Sequence, residues 1–259
     1  MANTQQVEHA AEHGYEFSIS TYFSRGYESF KERVGEYIGY TVAYLVISMI
    51  LSFIPIVGQL VSLVIAGPLS LAYAIFTHRL NTNQSTEFSN FFDGFKKFGS
   101  LFATYILQII IYMIIMLPAI FIIGFSFFMN MASGDPEAIM DSMDSFAANS
   151  ILFLVLIVIF IYVAVSLRWS LQLNYFHDYS PVEAIKQSFR LVNKNWFSHF
   201  GFMFLCGLVA ILGVLALLVG LLVAVPVIGA ADYHGFADVT GLGKEQEEES
   251  FKNSFDELV

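Results

Sequence analysis

The chain has 259 residues, 56% hydrophobic and only 13% charged, with a formal charge of −10 and a mean hydropathy of +0.65. A soluble domain carries about 45–50% apolar and about 25% charged residues, so the solvent for most of this chain is lipid rather than water. The acidic excess argues against a nucleic-acid partner, and a single cysteine, Cys206, excludes an intramolecular disulfide and a cysteine-cluster metal site.

Residues 1–20 read as a polar N-terminal tail. Within it, "HAAEH" (His9 to His13) matches the H-x-x-E-H pattern in which two histidines bind zinc and the glutamate activates water. Such a site needs a buried helix and a third ligand. A polar tail offers neither, so the segment is expected to be solvated. The first apolar run begins near Ile38, behind some 36 mostly polar residues. A signal peptide would place it closer to the start, so the first span is expected to be retained as an anchor.

The apolar block Tyr37 to Phe76 is twice the ~20 residues that cross ~30 Å of hydrocarbon, and "FIPIVGQ" suits a turn near Pro55–Gly58. It is predicted to be a hairpin of two spans. Leu101 to Met129 is a third span with Pro118 inside it, followed by "NMASGDPEAIMDSMDSFAANS", a loop with four acids and no base. Ile151 to Phe176 is a fourth. Phe197 to Gly235 is again double length, with a turn near Gly213–Gly220. The expected fold is therefore all-α, a polytopic membrane bundle of six transmembrane helices over residues 21–240. Residues 241–259 follow as an acidic, disordered tail suited to docking a cytoplasmic partner.

All 12 Lys and Arg fall on one side of this scheme, in the segments around Arg25 to Arg33, Arg79 to Lys97, Arg168, Lys186 to Lys194, and Lys244 to Lys252. The positive-inside rule puts that side, and both termini, in the cytoplasm. The protein is thus expected in the cytoplasmic (inner) membrane.

"SPVEAIKQSFRLVNKNWFSHF" (Ser180 to Phe200) opens with a Ser cap, Pro at the first helical position and Glu183 three residues after the cap. Val182, Ile185, Phe189, Val192 and Trp196 then share one face, and charged and amide residues cover the other, as in a helix lying in the headgroup layer. "YESFKERVGEYIGY" and "FFDGFKKFGSLF" have the same form. The pairs Phe30/Tyr37, Phe95/Phe102 and Phe189/Trp196 are each seven apart and are expected to be interfacial anchors. Each segment leads into a pair of spans, and each pair ends in an aromatic and a histidine: Phe76/His78, Phe176/His177 and Tyr233/His234. The chain reads as three repeats of interfacial helix plus hairpin, at about 21–80, 88–178 and 180–238. The middle repeat is stretched by the acidic loop. Three histidines meeting on an axis would offer a metal site, but interfacial histidines and aromatics are ordinary belt residues, and no metal is expected.

The stretch "GPLSLAYAIFTHRLNTNQSTEFSNFFDGFKKFGSLF" together with "SPVEAIKQSFRLVNKNWFSHF" resembles bacterial six-span inner-membrane proteins of unknown function. These are the YciC-like proteins and the membrane domain attached to some glycerophosphoryl diester phosphodiesterases. The likeness covers roughly residues 25–240 and implies a fold rather than a chemistry. The soluble domain that would supply phosphodiesterase activity has no counterpart in the sequence.

Arg168 lies about eight residues before the end of the fourth span, roughly 12 Å deep at ~1.5 Å per residue. An intramembrane charge is costly and marks a candidate site. Asp232, at the matching end of the last span, is its expected partner, with Asn174 in the same polar region. A snorkelling Arg168 is the plainer alternative. No phosphate-cradling loop or nucleophile elbow occurs, and no catalytic or cofactor-binding set is expected. The reading is a non-enzymatic protein with a structural, membrane-organising or lipid-linked role, its basic helices favouring anionic lipid of the inner leaflet. The alternative is a transporter or channel for a lipid-like or small apolar solute.

Overall fold

The computed structural model describes residues 4–133, 150–216 and 219–242. Among these there is no strand. The helices are α1 (Thr4–His13), α2 (Ile19–Glu32), α3 (Val34–Ser52), α4 (Val57–Ser70), α5 (Ala72–Asn81), a 3-10 helix (Phe88–Lys97), α6 (Phe98–Ser133), α7 (Ser150–Ser166), α8 (Ser170–Phe176), α9 (Pro181–Asn193), α10 (Trp196–Leu215) and α11 (Leu221–Thr240). Five helical stretches are long and apolar enough to cross a membrane: Val34–Ser52, Val57–Asn81, Phe88–Ile122, Ser150–Phe176 and Trp196–Leu215. Their outward apolar side chains, Ile151 77% exposed among them, would face water without a bilayer. That is the character of a membrane protein. The acidic loop and the C-terminal tail lie outside the described residues.

Burial is concentrated at one end. In α3 it covers Tyr37, Tyr40 and Thr41 and stops there, while α4 is buried mainly from Gly67 onward. Val165 and the following turns carry it in α7 and α8, and His199 and Phe202 carry it in α10. α11 is buried along most of its length and runs through the middle of the packed end. There, residues of three helices meet: His78 bonds the Tyr233 hydroxyl at 2.9 Å, and the Phe176 ring lies 5.0 Å from His78 and 6.1 Å from Tyr233.

Three connecting helices cap this end, two of them docked on a break in a longer helix. Pro68 lacks an N–H and crowds the preceding turn, and the helix breaks at Leu71, between α4 and α5. The 3-10 helix packs there so closely that a Cβ on Gly94 would sit 2.6 Å from the Pro68 carbonyl oxygen. α7 and α8 are parted at Leu167–Trp169 without a proline. The freed backbone groups are taken up by Ser188 of α9, which accepts from the Trp169 N–H at 3.2 Å and donates to the Ser166 carbonyl at 2.9 Å. Gln108 of α6 donates to the Leu167 carbonyl at 2.9 Å. Inside a bilayer such groups must be satisfied by protein. α2 lies along α11, where a Cβ on Gly26 would come within 2.6 Å of the Ala231 backbone nitrogen.

Local signals act as expected at several points. The Ser180/Glu183 capping box forms with Pro181 following, and Glu87 and Asn90 make a second one on the 3-10 helix. At the turn after α3, Ile56 adopts φ +62°, and any Cβ on Gly58 would collide with the Leu51 carbonyl.

The N-terminal segment differs from the expected solvated tail. α1 is a docked helix whose Val7, Ala10 and Ala11 are buried with Trp169, Leu173, Leu191 and Phe236. Only three small apolar residues at helical spacing were needed, too few to stand out in a polar segment.

Candidate polar centre at a broken helix

The break between α7 and α8 turns Arg168 inward. Its side chain is 8% exposed and forms an ion pair with Asp232 of α11, itself 25% exposed. The start of α8 supplies the rest of the carboxylate's shell. The Trp169 indole donates to Asp232 Oδ1 at 3.3 Å, and Gln172 Nε2 donates to Oδ2 at 2.6 Å. The guanidinium carbon lies 4.5 Å from the Phe202 ring centre and 5.3 Å from that of Trp169, so two aromatic faces flank the cation.

A second chain of bonds leads away from the pair. Arginine can only donate, so the 3.0 Å contact between Arg168 Nη1 and His199 Nδ1 makes that nitrogen an acceptor. His199 Nε2 therefore carries the proton and donates to the Tyr15 hydroxyl at 2.6 Å, which in turn donates to the Leu191 carbonyl at 3.0 Å. Burial drives the Tyr15 phenol well above its ordinary pKa, outweighing the lowering effect of Arg168, and it stays protonated. Phe17 adds a ring 4.3 Å from His199 and 6.0 Å from Trp169. The segment after α1 thus closes over the centre.

Arg168 and Asp232 are brought together, but Asn174 is not part of this cluster. Its amide nitrogen donates to Ser100 Oγ and to the Tyr179 carbonyl, both at 2.7 Å, tying α8 to the start of α6. Helical geometry explains the division. Gln172 and Asn174 are two residues apart in α8, about 200° around the helix at about 100° per residue, so they project from opposite faces. Gln172 was legible as a polar residue four positions from Arg168 in an otherwise apolar run. Tyr15 was not, because it lies more than 150 residues from its partners in sequence.

The expected anchors divide as well. Tyr37 is fully buried and Phe30 nearly so. The 3-10 helix covers this junction, bringing Phe91 to 5.8 Å from Tyr37, whose hydroxyl bonds Thr77 Oγ1 at 2.7 Å. These two are core residues, a correction to the expectation. Phe95 and Phe189 are exposed, and Phe102 and Trp196 half-buried. In α9 the exposed apolar residues are Val182 and Phe189, while Ala184, Ser188, Leu191 and Val192 face the bundle.

The histidines do not share one site. His78 bonds Tyr233, His234 Nε2 lies 2.9 Å from Ser29 Oγ, and neither ring nitrogen of His177 has a hydrogen-bond partner among the described residues. His9 and His13 stack at 4.5 Å on the exposed face of α1. Among the described residues no group of three or more His, Cys, Asp or Glu side chains is placed to hold a metal ion.

No known protein family, curated protein or solved structure matches the chain.

Proposed function

We propose that the chain is a six-span protein of the cytoplasmic membrane, built of three repeats, with a non-enzymatic, lipid-linked role in organising the membrane. One observation supports this reading: three connecting helices each dock on a longer helical stretch, in the pattern that three repeats closing on themselves within one chain would make. The 3-10 helix meets α4 and α5 at Gly94, α9 meets the α7–α8 break at Ser188, and α2 meets α11 at Gly26. The sixth span is α11, whose 20 residues measure about 30 Å, the thickness of the hydrocarbon core.

The capped end is the cytoplasmic one, where the basic residues of the connecting helices lie. Phe95, Phe98, Val182 and Phe189 are exposed around it, in position to enter the headgroup layer beside Lys96 and Lys186. Each base near an anionic surface contributes about 1 kcal/mol, screened by salt. Purified protein should therefore melt at a higher temperature in vesicles of phosphatidylglycerol than in vesicles of phosphatidylcholine, and the difference should shrink in high salt. Equal melting in both would refute the lipid-linked role.

A transporter or channel for a lipid-like solute is the second reading. A span broken beside a buried charge pair favours it, since discontinuous helices with charged groups at the break are how transporters build sites at depth.

A further inference from the structure

In the Arg168–Asp232 centre one buried polar atom is left over. Gln172 is 4% exposed, and its Oε1 is buried with no hydrogen bond among the described residues. The adjoining carboxylate is also incompletely used. Asp232 Oδ1 accepts from Arg168 and Trp169, while Oδ2 accepts from Gln172 alone among the described residues. Each oxygen has room for about two donors. Gln172 Oε1 is therefore without a donor, and Asp232 Oδ2, joined to the same amide by the 2.6 Å bond from Nε2, has room for one more.

A buried acceptor left empty costs free energy, so this corner is organised for something that donates. The charge of the donor follows from the pair: Arg168 already balances Asp232, and an added cation or anion would enter a buried site uncompensated. The surroundings are apolar. Phe202 and Ala231 are buried beside the centre, and half-buried Cys206 lies near it, one turn below the exposed apolar surface of α10.

We infer that the Gln172–Asp232 corner binds an uncharged amphiphile that presents hydroxyl or amide N–H donors on an apolar tail. This rests on the lipid-linked reading above and names the ligand class. Donors of this kind occur on lipids with a free hydroxyl headgroup and on soluble polyols, and the apolar wall selects the former.

Trp169 touches the carboxylate and is one of two tryptophans in the chain. In a Trp196→Phe protein it becomes the sole tryptophan, read by excitation to the red of tyrosine absorption. That protein, held in lauryldimethylamine oxide to avoid hydroxylated detergent, is titrated with 1-decanoylglycerol. A saturable change in Trp169 emission is expected, with none from glycerol (donors without a tail) or from decanoate (a tail without donors). Gln172→Met should raise the half-saturating concentration about tenfold, the effect of losing one hydrogen bond. No saturable change with decanoylglycerol would mean that water fills the corner, overturning the inference. An equal response to decanoate would overturn the donor requirement, and one to glycerol would overturn the lipid source. The titration decides even if Gln172→Met fails to fold. Failure here beside retained stabilisation by phosphatidylglycerol would overturn this inference alone.

Discussion

Arg168 and Asp232 depend on each other because neither tolerates burial alone. Arg168→Leu leaves a partly buried carboxylate with two neutral donors, and the loss should approach about 3 kcal/mol, the lower end for breaking a buried pair. Replacing both residues by Leu should cost less than Arg168→Leu alone, since no charge is then stranded. Thermal denaturation in detergent of the two single variants and the double variant checks this, and strict additivity would contradict the pair. His177 supplies a pH dependence. Burial pulls its pKa from 6.5 down to about 4, with His78 adding to the effect and Asp178 opposing it. The unfolded chain therefore binds the proton first. The His177 contribution is constant above about pH 6.5 and lowers stability as the pH drops from there toward about 4, by on the order of 3 kcal/mol. His177→Phe should make that acid limb shallower in a melting series across the range. An unchanged limb would place the sensitivity elsewhere.

Between elements, contact is governed by small residues. Gly26 and Gly94 allow the backbones of α2 and the 3-10 helix to lie against α11 and α4, and an alanine methyl would meet main-chain atoms that cannot move aside. Gly99 in α6 has open space, with nothing within 4 Å of where an alanine methyl would sit, so it works as a control. Gly26→Ala and Gly94→Ala should each lower the melting temperature, while Gly99→Ala should raise it slightly, by up to about 1 kcal/mol of helix propensity. If all three behave alike, close approach is not what those glycines serve. Ser188→Ala tests the broken span in the same way. It leaves the Trp169 N–H and the Ser166 carbonyl without their partner, at a cost of about 1–3 kcal/mol.

For the whole molecule, the proposed orientation has a direct test. Lys186 is exposed and Lys96 is 71% exposed, so both are free to react with an amine reagent wherever the reagent can reach. An impermeant reagent applied outside intact cells should leave both unlabelled and should label them once the membrane is opened. Labelling from outside would reverse the topology and remove the inner-leaflet role with it.

The amino-acid order alone was enough for the helical class, the apolar helices, the hairpin turn at Gly58 and the cap at Ser180. All of these rest on hydropathy over about 20 residues or on contacts within one helical turn, and neighbours in sequence determine both. It was also enough to make Arg168 and Asp232 conspicuous, because charges are rare in such runs. Which residues surround that pair was decided by tertiary packing. Tyr15 and His199 meet across 184 positions, and no local pattern records an encounter between a terminal segment and a distant helix. The burial of Phe30 and Tyr37 has the same origin. An aromatic at a helix junction looks identical in sequence whether lipid or another helix covers it, and only the path of the 3-10 helix across that junction settled which.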